Sequence, residues 1–166
     1  MLEKDFDSTE EWWFYLWLLD AESLGYVKGV TYQPQSFQLA PLVEIHYKKK
    51  LKTKVKDMTK TLLQPHIYTA DFHLEYVSPE FQKYFVKSEH GYWIDVKGTF
   101  NPHGGDRIFS IHQKWVYSIY KVYVNKIVPE KLFPKTWAPL SIIKGKRGKP
   151  LKKWAKCKTI LDVADL

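Results

Sequence analysis

The stretch YWIDVKGTF, residues 92–100, places an acid and a base two positions apart within a run of aromatic and β-branched residues. Such residues favour a β-strand, in which successive side chains point to opposite faces. Asp95 and Lys97 would therefore share one face, whereas Ile94 and Val96 would point into a core. The stretch predicts a strand of a central sheet whose charged pair is either a solvated edge or half of an active site.

Helical and extended patterns surround this strand in an order that defines the fold class. Asp7 or Ser8, followed by acids, predicts the start of a first helix, and Gly25 predicts its end. Strands are expected in LVEIHY (42–47), HIYTADFHLEYV (66–77), GYWIDVKGTF (91–100) and KVYVNKIVP (121–129). DRIFSIHQKWVYSIY (106–120) predicts a second, amphipathic helix with its apolar positions at Ile108, Ile111, Trp115 and Ile119. This order predicts a mixed α/β domain with one central sheet.

Length and composition limit the kind of protein. The 166 residues suit one domain, 1–166, and the net charge of +8 favours a polyanionic partner, either nucleic acid or an acidic membrane surface. A lone Cys157 fits a reducing compartment. The apolar run at 12–19 is too short to cross a membrane, and GKRGK (145–149) lacks the spacing of a phosphate-binding loop. We therefore expect a cytoplasmic protein with no membrane contact and no nucleotide cofactor.

The first helix is apolar on nearly all sides in the segment EWWFYLWLLDAESLGYV, residues 11–27. A surface helix with one buried face would show a polar stripe. Either a subunit interface or full burial within the domain would account for this pattern. The sequence favours neither of the two.

Two basic segments are candidates for phosphate contact. Residues 48–60 contain seven lysines in thirteen positions, in partial alternation over Lys50, Lys52, Lys54 and Lys56, which suits an extended ribbon with its charges on one side. A solvated hairpin with edge-guarding lysines is the alternative. The second segment is 144–158. The nucleic-acid-binding candidates are Lys48, Lys49, Lys50, Lys52, Lys54, Lys56, Gln113, Lys114, Lys144, Lys146, Arg147 and Lys149.

Two carboxylates can converge if the neighbouring strands pair. Asp71 is near the start of one strand, and Asp95 is on the next. These two side chains with the backbone carbonyl of Val96 match the preference of Mg²⁺ for oxygen ligands, and Mn²⁺ is expected to substitute. Lys97 could orient an attacking water, and Glu11 on the first helix could add a further ligand or hold a metal-bound water. This combination suits phosphodiester hydrolysis.

The motifs FDSTEE, YQPQSFQL, YTADFHLEY and WIDVKG together resemble the PD-(D/E)XK nuclease superfamily. More narrowly, they look like a phage-encoded endonuclease family often likened to Holliday junction resolvases. The resemblance covers roughly residues 5–120. It implies an α-β-β-β-α-β, restriction-endonuclease-like core with Asp71, Asp95 and Lys97 in the catalytic positions and Glu11 as the helix acid. Either Gln33 or Gln35 could fill the family's glutamine position.

The expected function is therefore a Mg²⁺-dependent, structure-selective DNA endonuclease, with Holliday junction resolution as the leading reaction. Two matched cuts in a four-way junction suit a homodimer. If the protein is phage-encoded, its cytoplasm is that of the host cell. One alternative is a nuclease of the same fold acting on flaps, nicks or a specific sequence. The other is a non-catalytic nucleic-acid-binding protein whose acids are structural.

Overall fold

The computed structural model describes residues 1–99, 105–143 and 151–164. The helices are α1 (Thr9–Ser23), α2 (Gly105–Tyr120), α3 (Pro129–Leu132), α4 (Leu140–Ile143) and α5 (Ile160–Ala164). The strands are β1 (Val27–Tyr32), β2 (Phe37–Ala40), β3 (Val43–Lys50), β4 (Val55–Leu63), β5 (His66–Tyr68), β6 (Phe72–Val77), β7 (Tyr92–Val96) and β8 (Val124–Ile127). No helix in these ranges is both long and apolar enough to cross a membrane.

A four-stranded mixed sheet forms the centre of the α/β domain, in the order β1-β6-β7-β8. The first three strands are antiparallel, and β8 runs parallel to β7. A parallel neighbour requires a crossover connection, which α2 supplies. The expected mixed α/β domain with one central sheet is confirmed.

The membership of the sheet differs from the prediction at its first strand. Strand β1, VKGVTY, was not predicted from the sequence, because a glycine interrupts its apolar pattern. At Gly29, with φ +68°, an added Cβ would clash with the Glu75 side chain. The predicted strand at 42–47 instead belongs to the separate β3–β4 hairpin. The predicted strand at 66–77 divides into β5, which pairs with β2, and β6, which joins the central sheet.

The β3–β4 hairpin corrects the expected arrangement of the lysines. The chain reverses between Lys50 and Val55, which pair directly, and Lys49 pairs with Lys56. Directly paired residues lie on the same face of an antiparallel ribbon, and successive residues alternate. Lys50 and Lys56 therefore lie on opposite faces, and the prediction that the alternating lysines share one side is wrong.

Helix α1 begins and ends where the sequence predicts. The hydroxyl group of Ser8 accepts a hydrogen bond from the backbone N–H of Glu11 at 3.2 Å, which identifies Ser8 rather than Asp7 as the N-cap. Gly25 follows the helix with φ +77°, in the left-handed region that glycine adopts readily.

The chain itself covers part of the apolar surface of α1. The ring of Trp17 stacks on Trp137 at 5.1 Å between centroids, and Trp13 meets Trp154 edge-on at 5.6 Å. The C-terminal segment after β8 thus packs on α1, and burial within the domain accounts for part of its low polarity. Leu19 is still 43% exposed, and a subunit interface at α1 stays a prediction.

Helix α2 packs on the sheet through a different face from the expected one. Ile108, Ile111, Trp115 and Ile119 are all exposed, at 36–59%. Phe109 and Val116 are the buried residues of α2 and belong to a core cluster with Trp93. Apolar side chains occur on both sides of this helix, so their spacing alone did not identify the side that contacts the sheet.

Candidate active site at the end of the central sheet

Strand β7 is buried on both of its faces. Tyr92, Ile94 and Val96 belong to the core cluster on the α1 side, as the alternation predicts, whereas Trp93 belongs to the cluster on the α2 side. Asp95 shares the face of Trp93 and is 3% exposed. A carboxylate so placed is not part of a solvated edge, because water cannot solvate it freely.

Asp71 lies opposite Asp95, immediately before β6. Phe72 pairs with Ile94, and extending this antiparallel register by one residue brings the two aspartates together. The Oδ2 atom of Asp71 accepts a hydrogen bond from the backbone N–H of Val96 at 2.6 Å. The expected convergence of the two acidic side chains is therefore present in the structure.

Asp95 is held by two partners of different kinds. Its Oδ2 atom accepts a hydrogen bond from the hydroxyl group of Tyr68 at 2.6 Å. Its Oδ1 atom forms an ion pair with the ammonium group of Lys97, without a hydrogen bond of ordinary geometry. Lys97 in turn lies 5.9 Å from the centre of the Phe109 ring. These contacts order the acid and the base that the sequence placed on one face.

A cavity of about 370 Å³ opens at this end of the sheet. The three predicted residues Asp71, Asp95 and Lys97 line it together, along with Tyr68, Thr69, Gly105, Ile108, Phe109 and His112.

The acidic side chains at the cavity disfavour each other's negative charge. Burial is the main cause that raises the pKa of Asp71 to about 7, and the nearby charges of Asp95 and Glu11 raise it further. The Val96 hydrogen bond and Lys97 oppose this rise. Burial and the charges of both aspartates also raise the pKa of Tyr68, which keeps its hydroxyl group a donor. Three acidic side chains thus lie near one lysine.

Glu11 lies close enough to influence Asp71 but does not line the cavity. Its Oε1 atom accepts a hydrogen bond from Ser8 at 2.8 Å, and its Oε2 atom accepts one from Tyr32 at 2.9 Å. The spacing Ser8-x-x-Glu11 is that of a helix capping box. The structure therefore gives Glu11 a local role in α1, and its expected role as a ligand stays a prediction.

The cavity offers oxygen atoms, the type of ligand that Mg²⁺ prefers, but only a few of them. Within residues 1–99, 105–143 and 151–164, no group of three or more His, Cys, Asp or Glu side chains is arranged to hold a metal ion. Two carboxylates and the carbonyl of Val96 would be the protein ligands. Such a set still suits Mg²⁺, which usually keeps several waters and binds through one or two carboxylates.

Several residues near the site were not predicted from the sequence. Tyr68 is part of a motif that carries the family resemblance, yet its contact with Asp95 depends on the β2–β5 pairing, which no local pattern showed. His112 lines the cavity, and its ring nitrogen lies 2.9 Å from that of His66. Its pKa is lowered by burial and by His66.

Of the two candidate glutamines, Gln33 is the one beside the site. Its backbone N–H donates to the carbonyl of Asp71 at 2.8 Å, and its side chain donates to Asp7 at 2.8 Å. Gln35 is exposed.

The predicted nucleic-acid-binding residues lie elsewhere. The side-chain amide of Gln113 donates to the carbonyl of Val124 at 2.6 Å and so ties α2 to β8. Gln113 and Lys114 line a second cavity with Tyr117, away from Asp95. The hairpin lysines Lys48, Lys49, Lys50 and Lys56 are exposed on β3 and β4, and Lys52 and Lys54 are exposed in the turn. Lys144, Lys146, Arg147 and Lys149 fall outside the described residues.

The chain matches no protein-family model, and no curated protein or solved structure matches it significantly.

Proposed function

We propose that this protein is a Mg²⁺-dependent DNA endonuclease with a PD-(D/E)XK, restriction-endonuclease-like core. The observation that carries the proposal is the convergence of Asp71, Asp95 and Lys97 on one cavity at the end of β6 and β7. The order α1-β1-β6-β7-α2-β8 agrees with the core that the sequence resemblance implies. The excess of acids over bases around the cavity supports a cation between protein and phosphate.

Each residue has a distinct task in this proposal. Asp71, Asp95 and the Val96 carbonyl would hold the Mg²⁺ ion, which supplies Lewis acidity toward the phosphoryl oxygens when bound. Lys97 would orient the attacking water and offset negative charge on the phosphate. Tyr68 is a positioning residue, because its hydroxyl group fixes the Asp95 carboxylate.

Branched DNA is the proposed substrate, with the four-way junction first among the candidates. The net charge of +8 and the exposed lysine hairpin support a polyanionic partner. Two matched cuts would need two copies of the site, so we propose a homodimer on functional grounds.

The test is cleavage of a panel of end-labelled DNA substrates with Mg²⁺, namely a fixed four-way junction, a flap, a nicked duplex, a linear duplex and a single strand. Symmetric paired nicks in the junction are expected. Products from a flap, a nick or one sequence would instead identify another nuclease of this fold. Binding with no Mg²⁺-dependent product on any substrate would favour a non-catalytic nucleic-acid-binding protein.

Asp95→Asn should abolish cleavage and keep junction binding, because it removes a metal-binding charge without changing the side-chain shape. Glu22→Gln, at an exposed position of α1, is the matched control and should cut normally. Mg²⁺ should also raise the unfolding temperature of the wild type more than that of Asp95→Asn. Normal cutting by Asp95→Asn would refute the site.

A further inference from the structure

The β3–β4 hairpin is a ribbon exposed on both faces. Every residue of β3 after Val43 is exposed, and β4 is exposed except at Met58 and Thr61, which are half-buried. A strand of this length extends about 25 Å. A ribbon with so little contact with the core adds little to the stability of the domain, since a solvated two-stranded hairpin is itself marginally stable. Its surface is therefore open to a partner.

The register of the hairpin separates its side chains into two faces. Directly paired residues share a face, and the pairs alternate along the ribbon. The first face, called the Tyr47 face, consists of Ile45, Tyr47, Lys49, Lys56, Met58 and Lys60. The other, called the His46 face, has as its charged members Glu44, Lys48, Lys50 and Asp57. A hydrogen-bonding contact of 2.9 Å between His46 and Thr59 confirms that paired side chains meet on that face.

The two faces differ in charge although both contain lysine. The Tyr47 face carries three lysines and no acid, which gives +3, whereas the His46 face carries two lysines and two acids, which gives zero. Lys48 is paired directly with Asp57, so its charge is locally balanced. A polyanion would therefore be attracted to the Tyr47 face.

The Tyr47 face also exposes apolar groups between its charges. Tyr47 is 42% exposed and Ile45 is 41% exposed, and Met58 lies directly opposite Tyr47. Lysines alone would suit phosphate groups, but an exposed aromatic ring flanked by lysines also provides a surface on which a base can stack. Bases within a duplex are already stacked on their neighbours, so the ring suits unpaired ones.

The ribbon is attached next to the candidate active site. Strand β4 ends at Leu63, and after two residues the chain enters β5, whose Tyr68 binds Asp95. The base of the ribbon is therefore close in sequence to a residue that lines the cavity.

We infer that the Tyr47 face of the β3–β4 hairpin binds unpaired nucleotides of a DNA strand, with Tyr47 stacked on a base and Lys49, Lys56 and Lys60 on the phosphates. This inference depends on the proposed function in one respect, namely that the partner is DNA. It adds a base-contacting residue, and it moves the main contact away from Lys48 and Lys50.

The test is binding of fluorescently labelled DNA measured by anisotropy in EDTA, where no metal-dependent cleavage occurs. The probes are a single strand, a four-way junction and a duplex. Tyr47→Ala should weaken binding of the single strand about tenfold or more, whereas Tyr47→Phe should retain it, because stacking needs only the ring. His46→Ala, the adjacent residue on the other face, should change binding less than about twofold.

The lysines provide a test of charge. Lys49→Ala with Lys56→Ala should lower the slope of log affinity against log salt by about 1.4 on the single strand. Lys48→Ala with Lys50→Ala should lower it clearly less. Equal losses from the two pairs would overturn the assignment of the face, and an equal loss on duplex and single strand for Tyr47→Ala would overturn base stacking.

Two further measurements distinguish base contact from a change in stability and from dimer formation. Unfolding temperatures of all variants should match the wild type, since these side chains are exposed. Sedimentation of the variants and the wild type at equal concentration should show the same oligomeric state. If Tyr47→Ala lost a dimer but still bound DNA, the Tyr47 face would contact a second copy of the chain, and the inference would be overturned. The binding measurements need no Mg²⁺, so a protein that fails to cleave DNA could still bind it through the Tyr47 face. If the protein cleaves DNA but substitutions on the two faces weaken binding equally, only the inference about the Tyr47 face is rejected.

Discussion

At the scale of single residues, the most informative feature is the pair of facing carboxylates, Asp71 and Asp95. Neither acid is fully compensated, because one lysine serves both and the surroundings are largely buried. Such an arrangement costs stability and is typical of sites that bind a cation or activate water.

The pKa of Asp71 leads to a prediction about pH. It is raised from 3.8 to about 7, so the carboxyl group stabilises the fold fully below about pH 4 and loses this contribution as the pH rises through 7. An asparagine at this position does not ionise, so Asp71→Asn removes the decrease in stability with rising pH. Its side-chain oxygen can still accept the hydrogen bond from the backbone N–H of Val96. Its unfolding temperature in EDTA, relative to wild type, should increase by roughly 3–8 °C between pH 5 and pH 8. Thermal unfolding at the two pH values measures this, and a constant difference would contradict it.

Tyr68 provides a second prediction at this scale. Tyr68→Phe leaves a buried carboxylate oxygen without its donor, so the free energy of unfolding should fall by about 1–3 kcal/mol in urea denaturation. Tyr120→Phe is the matched control, because its hydroxyl group donates to the carbonyl of Gln38 at an exposed position. Water can replace that contact, so its loss should stay below about 0.5 kcal/mol. If Tyr68→Phe and Tyr120→Phe lowered the free energy of unfolding equally, the hydrogen bond from Tyr68 to Asp95 would contribute no more than an exposed one.

At the scale of the elements, α2 shows where helical periodicity misleads. The stripe Ile108, Ile111, Trp115 and Ile119 has helical spacing, yet its members are 36–59% exposed, and Phe109 and Val116 are the buried residues of the helix. Both stripes are apolar, and the choice between them depends on where the strands place their own side chains.

The two faces of α2 can be compared by truncation. Phe109→Ala should lower the free energy of unfolding by about 3–5 kcal/mol, because it leaves a cavity in the core. Ile111→Ala, at a position 59% exposed, should change it by less than about 0.5 kcal/mol. Urea denaturation of both variants measures the difference. A large loss for Ile111→Ala would mean that another surface covers the stripe in solution.

At the scale of the whole molecule, the C-terminal segment completes the core around α1. Trp17 donates a hydrogen bond to Thr136 at 3.1 Å, and Trp137 donates one to Asp20 at 3.2 Å. The basic segment 144–158 predicts a loop or arm followed by a short element, and its described part contains no helix or strand and is followed by the short helix α5. Trp154 in this part is nevertheless 1% exposed and contacts Trp13 and Phe133.

Removal of this contact tests the role of the segment. Trp154→Ala should lower the free energy of unfolding by about 3–5 kcal/mol, since a fully buried indole is lost. Leu151→Ala, at an exposed position of the same segment, should have little effect. Chemical denaturation monitored by circular dichroism measures both. A normal stability for Trp154→Ala would mean that the segment is dispensable for the fold.

Sequence patterns were sufficient where the cause is local. The start of α1 at Asp7 or Ser8, its end at Gly25, the helical character of α2 and the alternation along β7 follow from backbone chemistry and side-chain periodicity. The pairing of β6 with β7 then places Asp71 beside Asp95. Because both strands were predicted, the approach of Asp71 to Asp95 could be predicted although the two residues are distant in sequence.

Contacts between distant segments were decided only in the tertiary structure. The glycine-containing β1, the β2–β5 pair that brings Tyr68 to Asp95, and the tryptophan packing of the tail have no local signature. The order of amino acids specifies which residues are acidic, basic and apolar and how they alternate within each element. Which apolar face is buried, and which polar groups meet, depends on the free energy of packing all elements together, and that quantity belongs to no single stretch of the chain.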